Sequence, residues 1–253
     1  MYFDTHAHYD NVRFDLDRRA LLGRLPAQGI SYVLNPGYDM PSSRMAVGLA
    51  EDYPFLYAAV GFHPHDSSGM QEGDIEKLET LTRRPKVVAV GEIGLDYHYD
   101  HSPRDVQRRC FRAQMGLARK VGLPVIVHQR EAAEDTLRVL RDYQDVPGVV
   151  HCFSGSLEVA REILDMGWYL SFTGVITYKN ARKSHEIIRA MPRERLMLET
   201  DAPYMAPEPH RRERNSSLYM PEITAAVAEL WEVSLEEAAA ITTENGKRFF
   251  RIT

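Results

Sequence analysis

The sequence predicts an α/β fold of the (β/α)8 TIM-barrel class, with an additional C-terminal helix. Three observations predict it. Short apolar runs recur along the whole chain, longer amphipathic stretches separate them, and 253 residues suffice for eight such units. The alternative is a doubly wound open sheet, which would carry fewer strands and a glycine-rich first turn. The first turn here reads Thr5-His6-Ala7-His8, with no GxGxxG.

The apolar runs, in order, are Tyr2 to Asp4, Tyr32 to Leu34, Phe55 to Gly61, Val87 to Gly91, Pro124 to Val127, Gly148 to Val150, Trp168 to Phe172 and Leu196 to Leu198. Several are rich in Val, Ile, Tyr and Phe, as strands are. Their near-continuous apolar character suits parallel strands buried on both faces. Between them, Phe111, Met115, Ala118 and Val121 carry a helical stripe that stops at Gly122 and Pro124. Ser156 can cap the helix that Val159, Ile163 and Leu164 outline. Glu222 to Trp231 and Leu235 to Phe250 read as two further helices after the eighth run. No low-complexity tract or linker divides the chain, so one domain over residues 1–253 is expected.

Composition narrows the function. Hydrophobic residues make up 44% and charged residues 26%, which excludes wholesale disorder. The net charge of -5 argues against a nonspecific nucleic-acid coat protein, although a catalyst needs only a local basic patch. Two cysteines, Cys110 and Cys152, make neither a disulfide framework nor a Cys-rich zinc module. A reduced, cytoplasmic location is expected. Asp4 stands where a signal peptide would be apolar, and no run approaches the roughly 18 apolar residues of a membrane span.

In a barrel, function gathers at the C-terminal ends of the strands. Those ends carry His6-Ala7-His8, Gly61-Phe62-His63-Pro64-His65, Gly91-Glu92-Ile93-Gly94-Leu95-Asp96, His128-Gln129-Arg130, His151-Cys152-Phe153-Ser154-Gly155 and Glu199-Thr200-Asp201-Ala202-Pro203. Of 10 histidines, six fall there. Imidazoles and carboxylates are costly to gather unless cations neutralise them. The set His6, His8, Glu92, His128, His151 and Asp201 offers more ligands than one ion can use while admitting substrate. Two divalent ions sharing Glu92 can use them all. His6, His8 and Asp201 are assigned to the first ion, and His128 and His151 to the second. Mixed nitrogen and oxygen donors suit Zn, Mn, Co or Fe better than an all-oxygen Mg site.

These motifs, taken together and in order, resemble the TatD family of metal-dependent deoxyribonucleases, within the amidohydrolase-like barrels. The likeness extends to Phe3-Asp4-Thr5-His6-Ala7-His8, Gly122-Leu123-Pro124-Val125-Ile126-Val127-His128, Tyr97, Tyr204, and Asn245, Lys247, Arg248 and Phe250 in the closing helix. It implies a two-metal hydrolase of DNA phosphodiesters, described with magnesium, with ligands at the six positions named above and action from a 3′ end. The chain departs from the family pattern at Gln129-Arg130-Glu131, where Ser or Thr-Arg-Asp is usual. It departs again at Arg211-Arg212-Glu213-Arg214-Asn215-Ser216-Ser217, which lacks the usual Gly and Glu-Pro.

Around the ligands, Asp201 is the expected proton acceptor for an attacking water, with Glu92 as the other catalytic carboxylate. His63 and His65 are candidate substrate contacts, His65 the better placed because it lies further beyond the strand. Arg130 can grip phosphate with two parallel bonds. Arg212 and Arg214, with Asn215, can clamp a strand of DNA, or the run can be a solvated face. Asp4 and Glu199 share strand parity with the ligands and can orient them. Tyr97 and Tyr99 can stack on bases or pack as wall residues. Cys152 is expected to point into the core. DNA is the expected partner, with no membrane and no obligate protein partner. The competing functions are hydrolysis of a small amide, lactone or phosphoester, hydrolysis of RNA, and a noncatalytic scaffold.

Overall fold

The computed structural model describes residues 1–253. Its strands are β1 (Tyr2–Asp4), β2 (Ile30–Pro36), β3 (Leu56–Val60), β4 (Val87–Asp96), β5 (Val125–Arg130), β6 (Gly148–Val150), β7 (Tyr169–Phe172) and β8 (Leu196–Leu198). Its helices are α1 (Arg18–Arg24), α2 (Met40–Asp52), α3 (Asp74–Leu81), α4 (Arg104–Val121), α5 (Ala133–Arg141), α6 (Leu157–Asp165), α7 (Arg182–Ala190), α8 (Met220–Trp231) and α9 (Leu235–Phe250). The eight strands form one sheet in chain order, and helices alternate with them. This is the (β/α)8 class, and α9 is the additional helix. No helix is long and apolar enough to cross a membrane.

The residues gather into two compact units. One joins Met1–Asn35, Cys152–Leu164 and Tyr169–Thr253; the other joins Pro36–His151 and Asp165–Trp168. They are called here the terminal and the central unit.

In the terminal unit, β1 pairs in parallel with β2, and β7 with β8. Helix α9 closes against this layer. Phe250 meets Phe3, with ring centroids 5.9 Å apart, and Phe3 meets Tyr32 at 5.5 Å. Gly246 makes the approach possible, because a Cβ there would come within 2.6 Å of the Phe3 ring. The Asn245 amide donates to the carbonyls of Arg193 and Leu196, both at 2.8 Å, anchoring the helix at the start of β8. The Ser234 hydroxyl caps α9 by accepting from Glu237 N at 3.1 Å.

In the central unit, β3, β4, β5 and β6 pair in parallel in that order. Here β4 and β5 outrun the apolar runs of the sequence. The ladder continues through Gly94 opposite His128, Leu95 opposite Gln129 and Asp96 opposite Arg130. The pattern changes from continuous to alternating: Ile93 and Leu95 are buried apolar residues, interleaved with Glu92, Gly94 and Asp96. A register shift between Val90 and Ile93 marks an irregularity at Glu92, of the kind that re-aims a side chain. At Gly94, φ is +138°, and a Cβ would lie 2.0 Å from the His128 carbonyl oxygen, so only glycine lets β4 approach β5 this closely.

Helix α4 buries Phe111, Met115 and Ala118 of the stripe read from the sequence, leaves Val121 half-buried, and ends at Gly122 in the left-handed conformation. The same buried face carries Gln107 and Gln114. Gln114 accepts from Phe62 N at 2.7 Å and donates to Phe62 O at 3.0 Å. Gln107 accepts from Asp96 N at 2.9 Å and donates to Asp96 O at 3.1 Å. Each glutamine thus clamps the backbone of one residue, just after β3 and at the end of β4.

Candidate metal centre

In the terminal unit, backbone pairing past the strand ends assembles the first set of donors. Thr5 N donates to Leu198 O at 3.1 Å, Asp201 N to His6 O at 2.8 Å and His8 N to Ala202 O at 2.7 Å. A parallel bridge joins Ala7 to Ala202. The segments after β1 and β8 therefore run side by side, and His6, His8 and Asp201 face one another. The Nε2 atoms of His6 and His8 lie 3.1 Å apart, and Asp201 Oδ1 lies 3.8 Å from the first and 3.6 Å from the second. Asp201 has φ of +56°, a left-handed conformation that aspartate tolerates better than most residues.

These distances fit a divalent cation. Ligands about 2.1 Å from a tetrahedral ion stand about 3.4 Å from each other. Asp10 Oδ1 lies 3.9 Å from His8 Nδ1 and is itself held by the Asn35 amide at 2.8 Å. Its placement beside the non-ligating nitrogen is that of a group that orients a metal-binding imidazole.

In the central unit, three imidazole nitrogens surround one oxygen, Glu92 Oε1. His151 Nε2 lies at 2.7 Å, His128 Nδ1 at 3.1 Å and His63 Nε2 at 3.3 Å. His128 Nδ1 and His151 Nε2 are 3.4 Å apart, again the spacing of ligands around an ion. On its far side, His128 Nε2 meets Asp96 Oδ2 at 3.0 Å. A proton held on Nε2 leaves the Nδ1 lone pair for a cation. Burial opposes ionisation of Asp96, yet its bonds with His128 and His65 hold the carboxyl far below the usual carboxylate range.

His63, Glu92 and His128 lie close enough to hold one ion. The hydrogen bonding of His63 argues against its membership. Its Nδ1 accepts from His65 N at 3.1 Å, so a neutral ring carries its proton on Nε2, which faces Glu92. Burial pushes this imidazole down to about 3, keeping it neutral. A nitrogen that keeps its proton cannot ligate, so His63 acts as a hydrogen-bond donor beside Glu92.

The remaining sequence candidates separate. His65 is partly exposed, and its Nε2 lies 3.0 Å from Asp96 Oδ2. The Arg130 guanidinium lies 4.8 Å from the Tyr99 ring centroid. Arg212 is exposed. Arg214 does not offer a free cation. It grips the Asp17 carboxylate at 2.8 and 2.5 Å, and its guanidinium covers Phe14. Asn215 is turned inward, its amide nitrogen donating to Thr200 O at 2.8 Å and Tyr204 O at 2.6 Å. A buried amide in an irregular loop satisfies backbone before it can meet a ligand. These two residues shape the loop after β8 instead of presenting donors from it.

Asp4 serves local groups too, accepting from Thr200 N at 2.9 Å and from the Thr200 and Ser217 hydroxyls, both at 2.6 Å. Burial pushes its carboxyl up to about 7 despite those bonds. Glu199 accepts from Cys152 N and from the Ser171 hydroxyl, both at 2.7 Å. The Tyr97 hydroxyl donates to Asp135 at 2.6 Å, a wall role. Cys152 departs from expectation. It lies beyond β6 with φ of +45° and is only partly buried, so strand alternation does not direct it into the core.

Sequence reasoning missed Asp96, Asp10, Gln107 and Gln114 as positioning groups. Asp96 was legible, since Glu92, Gly94 and Asp96 share parity on one strand. The glutamines carried no signal beyond their polarity on an apolar helix face.

A protein-family profile described as TatD related DNase matches residues 3–251. The chain is 45% identical over 254 residues to the uncharacterized metal-dependent hydrolase YabD of Bacillus subtilis, covering 100% of both. It is 35% identical to the 3'-5' ssDNA/RNA exonuclease TatD of Klebsiella pneumoniae, covering 99% of this chain and 98% of that one. Among solved structures, the TatD homologue YjjV of Escherichia coli K12 superposes with a TM-score of 0.93 at 32% identity, covering 100% of this chain and 98% of that one.

Proposed function

The chain belongs to the TatD family of metal-dependent deoxyribonucleases, and from that premise we propose that it removes nucleotides from the 3′ end of single-stranded or frayed DNA. The observation that carries this reading is the convergence of two imidazole nitrogens, from His128 and His151, within 3.1 Å of one Glu92 oxygen, a cluster suited to a cation. Divalent ions, one held by His6, His8 and Asp201 and one by Glu92, His128 and His151, would acidify the attacking water and stabilise charge on the phosphate and leaving oxygens.

The side chains then divide the work. Asp201 accepts the proton that the water gives up as its oxygen attacks phosphorus; the bond from phosphorus to the 3′ oxygen of the preceding nucleotide breaks, and that oxygen leaves and takes a proton from solvent. His63 keeps its Nε2 proton on Glu92 and so fixes that carboxylate. Asp96 fixes His128 through the opposite ring nitrogen. His65 and Arg130 face the phosphate chain. Four imidazoles among the six donors favour Zn or Mn over Mg. The Klebsiella relative is named a 3'-5' ssDNA/RNA exonuclease, which supports both the polarity and the single-strand preference.

The test is a metal-by-substrate screen on protein first stripped with a chelator. Zn, Mn and Mg are added back singly against end-labelled single-stranded DNA, duplex DNA, circular single-stranded DNA, RNA, small phosphodiesters and cyclic amides or lactones. Metal-dependent shortening of the linear single strand from its 3′ end is expected. Rapid cutting of the circle would reject exonuclease action. Turnover confined to amides or lactones would reject phosphodiester chemistry.

A further inference from the structure

The segment after β4 carries an exposed aromatic pair that the ligand cluster does not use. Tyr99 is 50% exposed. Its ring stacks on that of His101, with planes 10° apart and centroids 5.5 Å apart. His65 meets both edge-on, at 5.5 Å from Tyr99 and 4.7 Å from His101. His101 is itself exposed. The two exposed rings form an offset parallel stack at the surface, called here the shelf, with His98 edge-on to Tyr99 at 4.7 Å.

A single exposed tyrosine requires no explanation, but the backbone around this pair is tied to buried groups. Asp96 Oδ1 accepts from His98 N at 3.0 Å and Tyr99 N at 2.9 Å. Its other oxygen meets His65 and His128, both at 3.0 Å. The Ser102 hydroxyl donates to His65 O at 2.9 Å, and Gln107 donates to Ser102 O at 2.8 Å. Asp96, Ser102 and Gln107 are fully buried. One carboxylate therefore sets both a proposed metal ligand and the backbone of the shelf. A preorganised aromatic surface loses little entropy when a flat ligand lands on it.

The charge nearby points the same way. Arg130 lies over the Tyr99 ring and forms no ion pair, whereas Arg104, Arg108, Arg109, Arg112 and Arg138 are each bound to a carboxylate. Its cation is left for an anion that arrives with the flat group. An aromatic surface beside an uncommitted arginine matches a nucleotide, which pairs a π face with a phosphate.

We infer that the Tyr99–His101 shelf stacks the base of the terminal nucleotide, with Arg130 on a flanking phosphate, and so registers the strand end against the metal centre. The inference rests on the nuclease reading above. Stacking tolerates any base, so the shelf selects for a base being present and not for its identity.

The test compares single-stranded oligodeoxyadenylate with the same strand ending in a 3′ abasic nucleotide, on manganese-loaded enzyme. The wild type should favour the base-bearing end by about tenfold in kcat/KM, mostly through KM. Tyr99→Phe should keep that preference. The double variant Tyr99→Leu, His101→Ala should bring the ratio close to one. A double variant with the wild-type ratio, or a wild type with no preference, overturns the shelf and leaves the nuclease reading standing. A wild type that cleaves neither strand with manganese, magnesium or zinc overturns the nuclease reading and the shelf with it.

Discussion

The two donor sets are built by different means. In the terminal unit, His6, His8 and Asp201 are placed by main chain: the segments after two short strands are tied to each other by backbone hydrogen bonds and one bridge. In the central unit, Glu92 and His128 belong to long strands, and side chains do the final aiming. Asp96 holds His128 from behind, and His63 donates toward Glu92. Sites set by backbone tolerate the loss of a neighbouring side chain better than sites set by side chains. The contrast predicts that substitutions around the ligands will be felt unequally.

The largest effects are expected at the proposed ligands and should not distinguish the sets. His6→Ala and His128→Ala should each lower kcat/KM on single-stranded DNA by at least about 10²–10³-fold, the scale of losing one preorganised charge-stabilising group. Metal analysis of the dialysed variants should show fewer bound ions than the wild type. Either variant retaining full metal content and activity within tenfold would remove its residue from the ligand set.

The next effects separate the sets. Asp96→Asn should cost about 10–100-fold in metal affinity or activity, because the amide cannot accept from both imidazoles and both backbone N–H groups as the carboxylate does. Asp10→Asn, beside His8, should cost less than about tenfold, since backbone pairing still places His6, His8 and Asp201. Competition against a fluorescent chelator reads both affinities, and a larger loss at Asp10 than at Asp96 would reverse the comparison. The smallest effect is expected at Arg214→Ala. Its pair with Asp17 is partly exposed, so urea denaturation should show a loss of at most about 1 kcal/mol, with little change in KM for DNA. A large rise in KM with stability intact would restore Arg214 as a DNA contact.

Much of this organisation was legible before the structure. Eight apolar runs gave the strand count because parallel strands buried on both faces leave an unbroken apolar signature. The candidate donor positions stood out because histidine and carboxylate rarely end successive apolar runs by chance. The lengths of β4 and β5 were not legible, because β4 ends in a stretch interrupted by Gly91 and Gly94 and β5 ends in three polar residues, His128-Gln129-Arg130, so the apolar runs stop before the strands do. The partners of Arg214 and Asn215 within the chain were hidden for a related reason. Composition marks a polar loop, but whether its donors face solvent, substrate or its own backbone depends on folds of the chain that leave no periodic trace. The tautomer of His63 was equally hidden, since it follows from a single hydrogen bond with its neighbour but one.

Helix α4 offers a last consequence. Gln107 and Gln114 stand seven residues apart, two turns of helix, and therefore project at nearly the same angle toward Asp96 and Phe62. The helix works as a protractor: the ends of two strands are set by an angular interval counted along a third element. One residue inserted between the glutamines would swing the second by about 100° around the helix axis. The composition would scarcely change and the helix would remain a helix, but Phe62 would lose its clamp, and with it the footing of the segment that carries His63.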